Sequence, residues 1–185
     1  MSSTAVPPVE SGGLAGLVLS RVRDVPDFPR PGVDFKDLTP LFADPAGLRA
    51  VVDAVVDHHG RGSFDVVAGV EARGFLLAAA IAYAAGTGLV PIRKEGKLPG
   101  RTLAASYTLE YGQAVVEVHE DAFGPGRTRV LLVDDVLATG GTIGAAADLV
   151  ARAGGTVTGI SVILELSLLA GRKLVGREIH ALLTV

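Results

Sequence analysis

An apolar run, Val130-Leu131-Leu132-Val133, ends in two adjacent acids, Asp134 and Asp135, and leads through Val136-Leu137 into the small-residue turn Ala138-Thr139-Gly140-Gly141-Thr142. These types read as a buried strand, a carboxylate pair, and a turn that opens a helix over Gly141 to Ala153. Such a turn offers unhindered backbone N–H groups and two hydroxyls at a helix N-terminus, where orphan donors and the helix dipole both favour an anion. No Lys follows the glycines, which excludes a Walker loop. Carboxylates beside a phosphate repel it unless they face hydroxyls or a cation. Two adjacent aspartates can accept from the neighbouring hydroxyls of a ribose whose 5′-phosphate the turn holds. The competing reading is that Asp134 and Asp135 only cap the helix.

Three other segments carry chemistry-bearing types. Glu71-Ala72-Arg73-Gly74-Phe75 follows an apolar strand and opens a helix, a place from which Arg73 can grip a pyrophosphate through two parallel hydrogen bonds, or pair with Glu71. Arg93-Lys94-Glu95-Gly96-Lys97-Leu98-Pro99-Gly100 gathers cations and glycines at another strand end and suits a polyanion; a solvated charged loop is the alternative. It runs on to Ala105-Ser106-Tyr107-Thr108-Leu109-Glu110-Tyr111-Gly112, a long connection with short strand-like pieces, as lids have. Finally, Val25-Pro26-Asp27-Phe28-Pro29-Arg30-Pro31-Gly32 excludes a regular helix, and Phe28 and Phe35 read as aromatic anchors of an ordered loop.

The elements that position these groups alternate. A helix is expected from Leu14 to about Asp24, and a second is capped by Asp44 with Pro45 in its first turn and Leu48, Val51, Val52, Val55 and Val56 on one stripe. Strands read at Asp65 to Val70, Leu89 to Ile92, Val115 to Val118, Val130 to Val133 and Val157 to Leu164. Helices read at Phe75 to Ala85 and Gly141 to Ala153, and a last short helix and strand close the chain. Apolar strands alternating with helices imply an α/β fold around a mostly parallel sheet flanked by helices, with ligands at the carboxyl ends of its strands.

Composition bounds the function. The 185 residues carry a net charge of −3, against a general nucleic-acid binder, and no cysteine, hence no disulfide, thiolate zinc site or thiol nucleophile. The uncharged stretch Gly74 to Ile92 is rich in Ala and broken by Gly86, Gly88 and Pro91, which fits a buried helix and strand better than a membrane span. Residues 1–13 read as a flexible leader without a signal-peptide pattern, and 14–185 as one domain; a cytoplasmic location is expected.

The run from Val130 to Thr142 resembles the phosphoribosyl pyrophosphate signature of the type I phosphoribosyltransferases. That resemblance implies the type I fold with a small N-terminal hood (about 24–42) and a flexible lid loop (about 95–113). It makes Asp134 and Asp135 the holders of the ribose hydroxyls, near the charge that develops in the reaction, and Ala138, Thr139, Gly140, Gly141 and Thr142 the 5′-phosphate cradle. The hood, lid and Arg73 segments are similar to those of the adenine phosphoribosyltransferase family. The likeness implies pyrophosphate contacts for Arg73, Arg93, Lys94, Lys97 and Tyr111, and Glu110 as the acid beside the base. Val33, Asp34, Phe35 and Lys36 would read the purine, with Phe35 stacked on one face and Val136 covering the other. Mg²⁺ is the implied cofactor, held mainly by substrate rather than by a side chain, and a homodimer is the implied assembly. The match runs from roughly Asp24 to Arg172.

Two departures stand out. Asp34 occupies a position usually apolar in that family, and Glu95 replaces what is often a further cation. Asp34 leaves open a same-fold transferase for hypoxanthine, guanine, xanthine or orotate. A non-catalytic phosphoribosyl pyrophosphate-binding regulator is the remaining alternative. Such regulators usually add an N-terminal DNA-binding domain, for which residues 1–24 are too few, and lose the lid acid.

Overall fold

The computed structural model describes residues 13–109 and 112–185; the expected leader before Gly13, and Glu110 and Tyr111, lie outside the described residues. The chain divides into two units, up to Val51 and Val52–Val185.

In the first unit, α1 spans Leu14–Arg21 and ends before the expected Asp24, because Val22 turns to extended backbone (φ −80°, ψ 131°) and Arg23 begins a strand. That strand, β1 (Arg23–Pro26), pairs antiparallel with β2 (Asp34–Asp37), placing Asp24 opposite Lys36 and Val25 opposite Phe35. Lys36 Nζ donates to Asp24 at 2.7 Å and to Asp34 at 3.1 Å. At the turn, Asp27 takes a positive φ of 60° and its Oδ1 accepts from the Gly32 N–H at 2.7 Å. The segment read as an ordered loop is thus part of a hairpin. Phe28 meets Phe35 edge to face at 5.1 Å but is half exposed, so the anchoring role expected of Phe28 is not met. A short helix, α2 (Thr39–Ala43), leads to α3 (Pro45–His59), where Asp44 Oδ1 caps the Ala46 N–H at 3.2 Å as its position predicts.

The second unit is a seven-stranded sheet. In chain order its strands are β3 (Val66–Val70), β4 (Gly88–Lys94), β5 (Thr102–Leu109), β6 (Gly112–His119), β7 (Thr128–Leu137), β8 (Gly155–Glu165) and β9 (His180–Thr184). Their spatial order is β5-β6-β4-β3-β7-β8-β9. The five strands β4, β3, β7, β8 and β9 run parallel; β5 and β6 form an antiparallel arm on β4. Val, Leu and Ala fill β3 and the middle of β7, buried on both faces as parallel strands must be.

Helices cover both faces. Val66, Ala68, Val70, Val130, Leu132, Ile160 and Val162 share a core cluster with Ile143, Ala146 and Leu149 of α5 (Gly141–Arg152). The alternate residue Gly69 faces the other way, toward α4 (Arg73–Ala85), so closely that a Cβ there would stand 2.5 Å from the Ala78 Cβ. On that same face the ring of His59, at the end of α3, fills the space over Gly159, and its Nε2 lies 2.8 Å from Ser161 Oγ. A final helix, α6 (Gly171–Val175), precedes β9. Among the described residues no helix is long and apolar enough to cross a membrane.

Candidate active site

Numbered only among themselves, the parallel strands lie in the order 2-1-3-4-5, so the chain reverses its direction of winding between β3 and β7. At such a reversal the loops leaving two adjacent strands turn to opposite faces and open a crevice at the carboxyl edge. The register places the chemistry there. Val70 at the end of β3 pairs with Ile92 of β4, and Gly69 pairs with Val133 of β7, so Glu71-Ala72-Arg73, Arg93-Lys94 and Asp134-Asp135 all emerge along one edge.

The two acids belong to β7 itself, which continues through Leu137, and Asp134 pairs with Val162 of β8. Both are buried, Asp134 at 9% and Asp135 at 5% exposure. Asp134 Oδ1 accepts the backbone N–H of Asp135 at 2.9 Å. Burial, and then the negative charge of Asp135, push the Asp134 carboxyl well above the usual aspartate range. Burial raises Asp135 as well, against the opposing pull of Arg73. Arg73 Nε lies 2.5 Å from Asp135 Oδ2, a close ion pair without hydrogen-bond alignment, so this buried oxygen lacks an aligned donor among the described residues. Such a pair of desolvated carboxylates is costly and is suited to groups arriving with a substrate.

Helix α5 begins at Gly141 with Gly140 as its N-cap and has no side-chain cap. The capping alternative for Asp134 and Asp135 therefore fails: among the described residues neither carboxylate accepts an N–H group of the first turn of α5. Gly140 adopts φ +86°, and a Cβ on it would overlap the Gly171 carbonyl; a Cβ on Gly171 would in turn overlap Ala138 O. The Ala138–Thr142 turn is thereby locked backbone to backbone against the start of α6. On its other side a Cβ at Gly141 would stand 3.0 Å from the Tyr107 ring. Ala138, Thr139 and Thr142 remain partly exposed, as a cradle requires. Gly74 lets α4 approach β7, since a Cβ there would lie 3.0 Å from Asp134 Oδ1.

Glu71 does not pair with Arg73. Its Oε2 accepts the Lys94 N–H at 2.9 Å and meets Arg93 Nε at 3.4 Å. Arg93 Nη1 also donates to Lys97 O at 3.1 Å, which closes the basic turn on itself, with Lys94 and Lys97 exposed beside it. The connection read as a long loop with strand-like pieces holds a regular eight-residue strand, β5, paired along its length with β6. Leu103, Ala105 and Tyr107 supplied the signal, an apolar residue at every second position packed against the core, diluted by the small Ala105. In the first unit, Asp34 is exposed and Phe35 and Lys36 are partly buried. Val33 accepts the Phe28 N–H through its carbonyl at 3.2 Å. Val136 is partly exposed on β7 beyond the acids.

One residue that composition and spacing did not single out is Glu117 on β6, buried at 5% exposure, whose Oε1 accepts the N–H groups of Lys97 and Leu98 at 2.8 Å each. A charged residue within an otherwise Val-rich strand was its only trace in the sequence.

Residues 38–174 match the family model described as the phosphoribosyl transferase domain. The adenine phosphoribosyltransferase of Salinispora tropica is 65% identical over 172 residues, covering 92% of this chain and 91% of that protein. The crystal structure of adenine phosphoribosyltransferase from Rhodothermus marinus, 44% identical, superimposes with a TM-score of 0.87 over 93% of this chain and 98% of that one. The APRTase of Giardia lamblia complexed with 9-deazaadenine, 36% identical, gives 0.86 over 94% and 98%. With a carboxylate pair, an uncapped helix turn and an Arg-bearing loop gathered at the sheet's winding reversal, and with relatives matched over nearly their whole length, the chain belongs to the phosphoribosyltransferase family, among its adenine phosphoribosyltransferases.

Proposed function

We propose that this chain transfers the 5-phosphoribosyl group from phosphoribosyl pyrophosphate to adenine, giving AMP and pyrophosphate. The observation that carries this reading is the buried Asp134–Asp135 pair leading directly into a helix N-terminus that no side chain of its own caps. The N–H groups and hydroxyls of Ala138–Thr142 hold the 5′-phosphate, and the two carboxylates accept from the ribose hydroxyls.

Pyrophosphate leaves C1 of the sugar as a purine nitrogen arrives from the opposite face, with inversion. Positive charge spreads over the ribose in a transition state of oxocarbenium character, and Asp134 and Asp135 stabilise it. Arg73, Arg93, Lys94 and Lys97 neutralise the leaving group, and Tyr111 covers it. Arg73 would exchange part of its contact with Asp135 for a pyrophosphate oxygen. Glu110 accepts or relays the proton that makes the purine nitrogen the better nucleophile, and Val33–Lys36 with Phe35 and Val136 hold the base. Because the exposed Asp34 carboxylate is tied to Lys36, its charge is offset at the hood.

The donor set suits Mg²⁺: hard oxygens from pyrophosphate and sugar hydroxyls, beside the Asp135 oxygen that lacks an aligned donor. Asp134 and Asp135 would hold it through the hydroxyls they bind, and the ion when bound offsets charge on the leaving pyrophosphate. A homodimer in the cytoplasm completes the reading, on the strength of the family likeness.

The test is pyrophosphate release from phosphoribosyl pyrophosphate and Mg²⁺ with adenine, hypoxanthine, guanine, xanthine and orotate offered separately. Release with adenine alone is expected, and loss of release on chelation. Release with a different base would overturn the assignment of the hood, and indifference to chelator the role of the ion.

A further inference from the structure

The turn between β4 and β5 is built around an anion that the protein itself supplies. Glu117 sits on the middle strand of the antiparallel arm, opposite Arg93 on β4 and Ala104 on β5. Its Oε1 accepts two consecutive backbone N–H groups, from Lys97 and Leu98, at 2.8 Å each, and its Oε2 lies 3.4 Å from the Thr102 hydroxyl. Gly96, at φ +76°, gives the chain the left-handed kink that turns these amides inward. The Glu95 N–H meanwhile donates to Val115 O at 3.1 Å, and Arg93 Nη1 to Lys97 O at 3.1 Å. Successive N–H groups aimed into one concavity form a nest that binds anions. Here a buried carboxylate fills the nest. Burial alone would raise the Glu117 carboxyl, but the N–H donors of Leu98, Lys97 and Gly96 outweigh it and hold the group ionised.

We infer that Glu117 is a positioning residue for phosphoribosyl pyrophosphate: its carboxylate fixes the Lys94–Leu98 turn, and with it the placement of Arg93 and Lys97, before the substrate arrives. The inference rests on the reading above, in which those cations meet the pyrophosphate. Glu117 stands on the strand behind the turn and acts through it. A turn held in one shape loses less freedom on binding, and a displacement of about 1 Å in such groups is worth on the order of 10 to 10² in rate or affinity.

Kinetics of Glu117→Ala and Glu117→Gln test it, with the two substrates varied in turn and hydrogen exchange followed over residues 94–98. Gln keeps an acceptor at Oε1 for both N–H groups and offers a donor to Thr102, so it should rescue most of what Ala loses. Glu117→Ala should raise KM for phosphoribosyl pyrophosphate about tenfold or more, leave KM for adenine within about twofold, and unprotect the Lys97 and Leu98 amides. Glu117→Gln should raise the first KM only about two- to threefold, with the amides still protected. Should the Ala variant not accumulate as folded protein, the Gln variant alone decides: a KM for phosphoribosyl pyrophosphate equal to wild type, or a rise shared equally by adenine, overturns the inference. A wild-type protein that neither binds nor turns over phosphoribosyl pyrophosphate would defeat the proposed function itself. An active wild type with a substrate-indifferent Ala variant defeats only the role of Glu117.

Discussion

Replacing Asp134 by Asn should make the protein more stable and far less active. The carboxyl is buried at 9% exposure beside a second carboxylate, and the Asp135 N–H donates to it at 2.9 Å. An Asn Oδ1 keeps that bond, while the neutral amide removes both the desolvated charge and its repulsion by Asp135. Replacing buried ionic groups by well-packed neutral groups of similar volume is neutral or stabilising by up to about 1–4 kcal/mol. The retained bond and the continuing Arg73–Asp135 contact place this change near the middle, about 2 kcal/mol, or roughly 4–8 °C in Tm for a chain of this size. The pH dependence has a definite sign. A carboxyl whose folded pKa is raised keeps its full contribution below the unfolded value of about 3.9 and loses it as pH rises through the folded value. The Tm gap between Asp134→Asn and wild type should therefore open from about pH 4 toward neutrality. Loss of a charge aligned with the developing ribose cation should lower kcat about 10²-fold or more. Thermal melts across pH, paired with pyrophosphate release, measure both. A variant less stable than wild type at pH 7, or a gap that stays flat with pH, would refute the argument that these acids are held at a cost for the sake of the substrate.

Changing Glu110 to Gln should lower turnover by about 10² to 10⁴ while leaving the dissociation constants of both substrates near wild type, as equilibrium binding and single-turnover rates would show. Gly171→Ala drives a methyl into Ala138 O and toward Gly140 N, so it should cost about 1–3 kcal/mol in denaturant unfolding and weaken binding of phosphoribosyl pyrophosphate more than of adenine. His59 is held down to about 4 by burial and by its neighbours His58 and His180, so its contribution to stability is present above about pH 6.5 and lost as pH falls toward 4. Partial exposure reduces that contribution to about 1–2 kcal/mol. His59→Gln, which can still meet Ser161, should lose less Tm than wild type between pH 7 and 5; equal losses would dismiss His59 as the source.

The parts of this molecule that were legible in the sequence are those whose meaning is local. Strand, double acid, Thr-Gly-Gly-Thr turn and helix stand in one continuous run, and the structure keeps them so, with the acids moved from the loop into the last residues of β7. The parallel core was legible because β3 and β7 are apolar on both faces. What escaped depended on pairing across distance. The β1–β2 hairpin is hidden by Pro26 and by charges at alternate positions that satisfy one another across the strands, Asp24 with Lys36. Arg73 was assigned a choice of Glu71 or pyrophosphate, and the structure sets Asp135 beside it, brought alongside by the β3–β7 pairing. Glu117 escaped for the same reason: its donors lie on a turn that only the β4–β6 register brings over it.

In the proposed reaction the two N–H-rich turns of the sheet edge would divide the labour by how each is filled. At the β4–β5 turn the amides of Lys97 and Leu98 are satisfied by Glu117, so the backbone is closed and only the side chains of Arg93, Lys94 and Lys97 remain to meet an anion. At the β7–α5 turn the reverse holds: among the described residues no side chain caps α5, and the carboxylates of Asp134 and Asp135 are kept back on β7. Closed amides behind side-chain cations suit a group that must be gripped and then released, as a leaving pyrophosphate is. Uncapped amides in a turn locked by Gly140 against Gly171 suit a group held in one place throughout, as the 5′-phosphate is. A carboxylate introduced at the N-cap of α5 would fill the second turn as Glu117 fills the first, and the same physics requires it to exclude the phosphate.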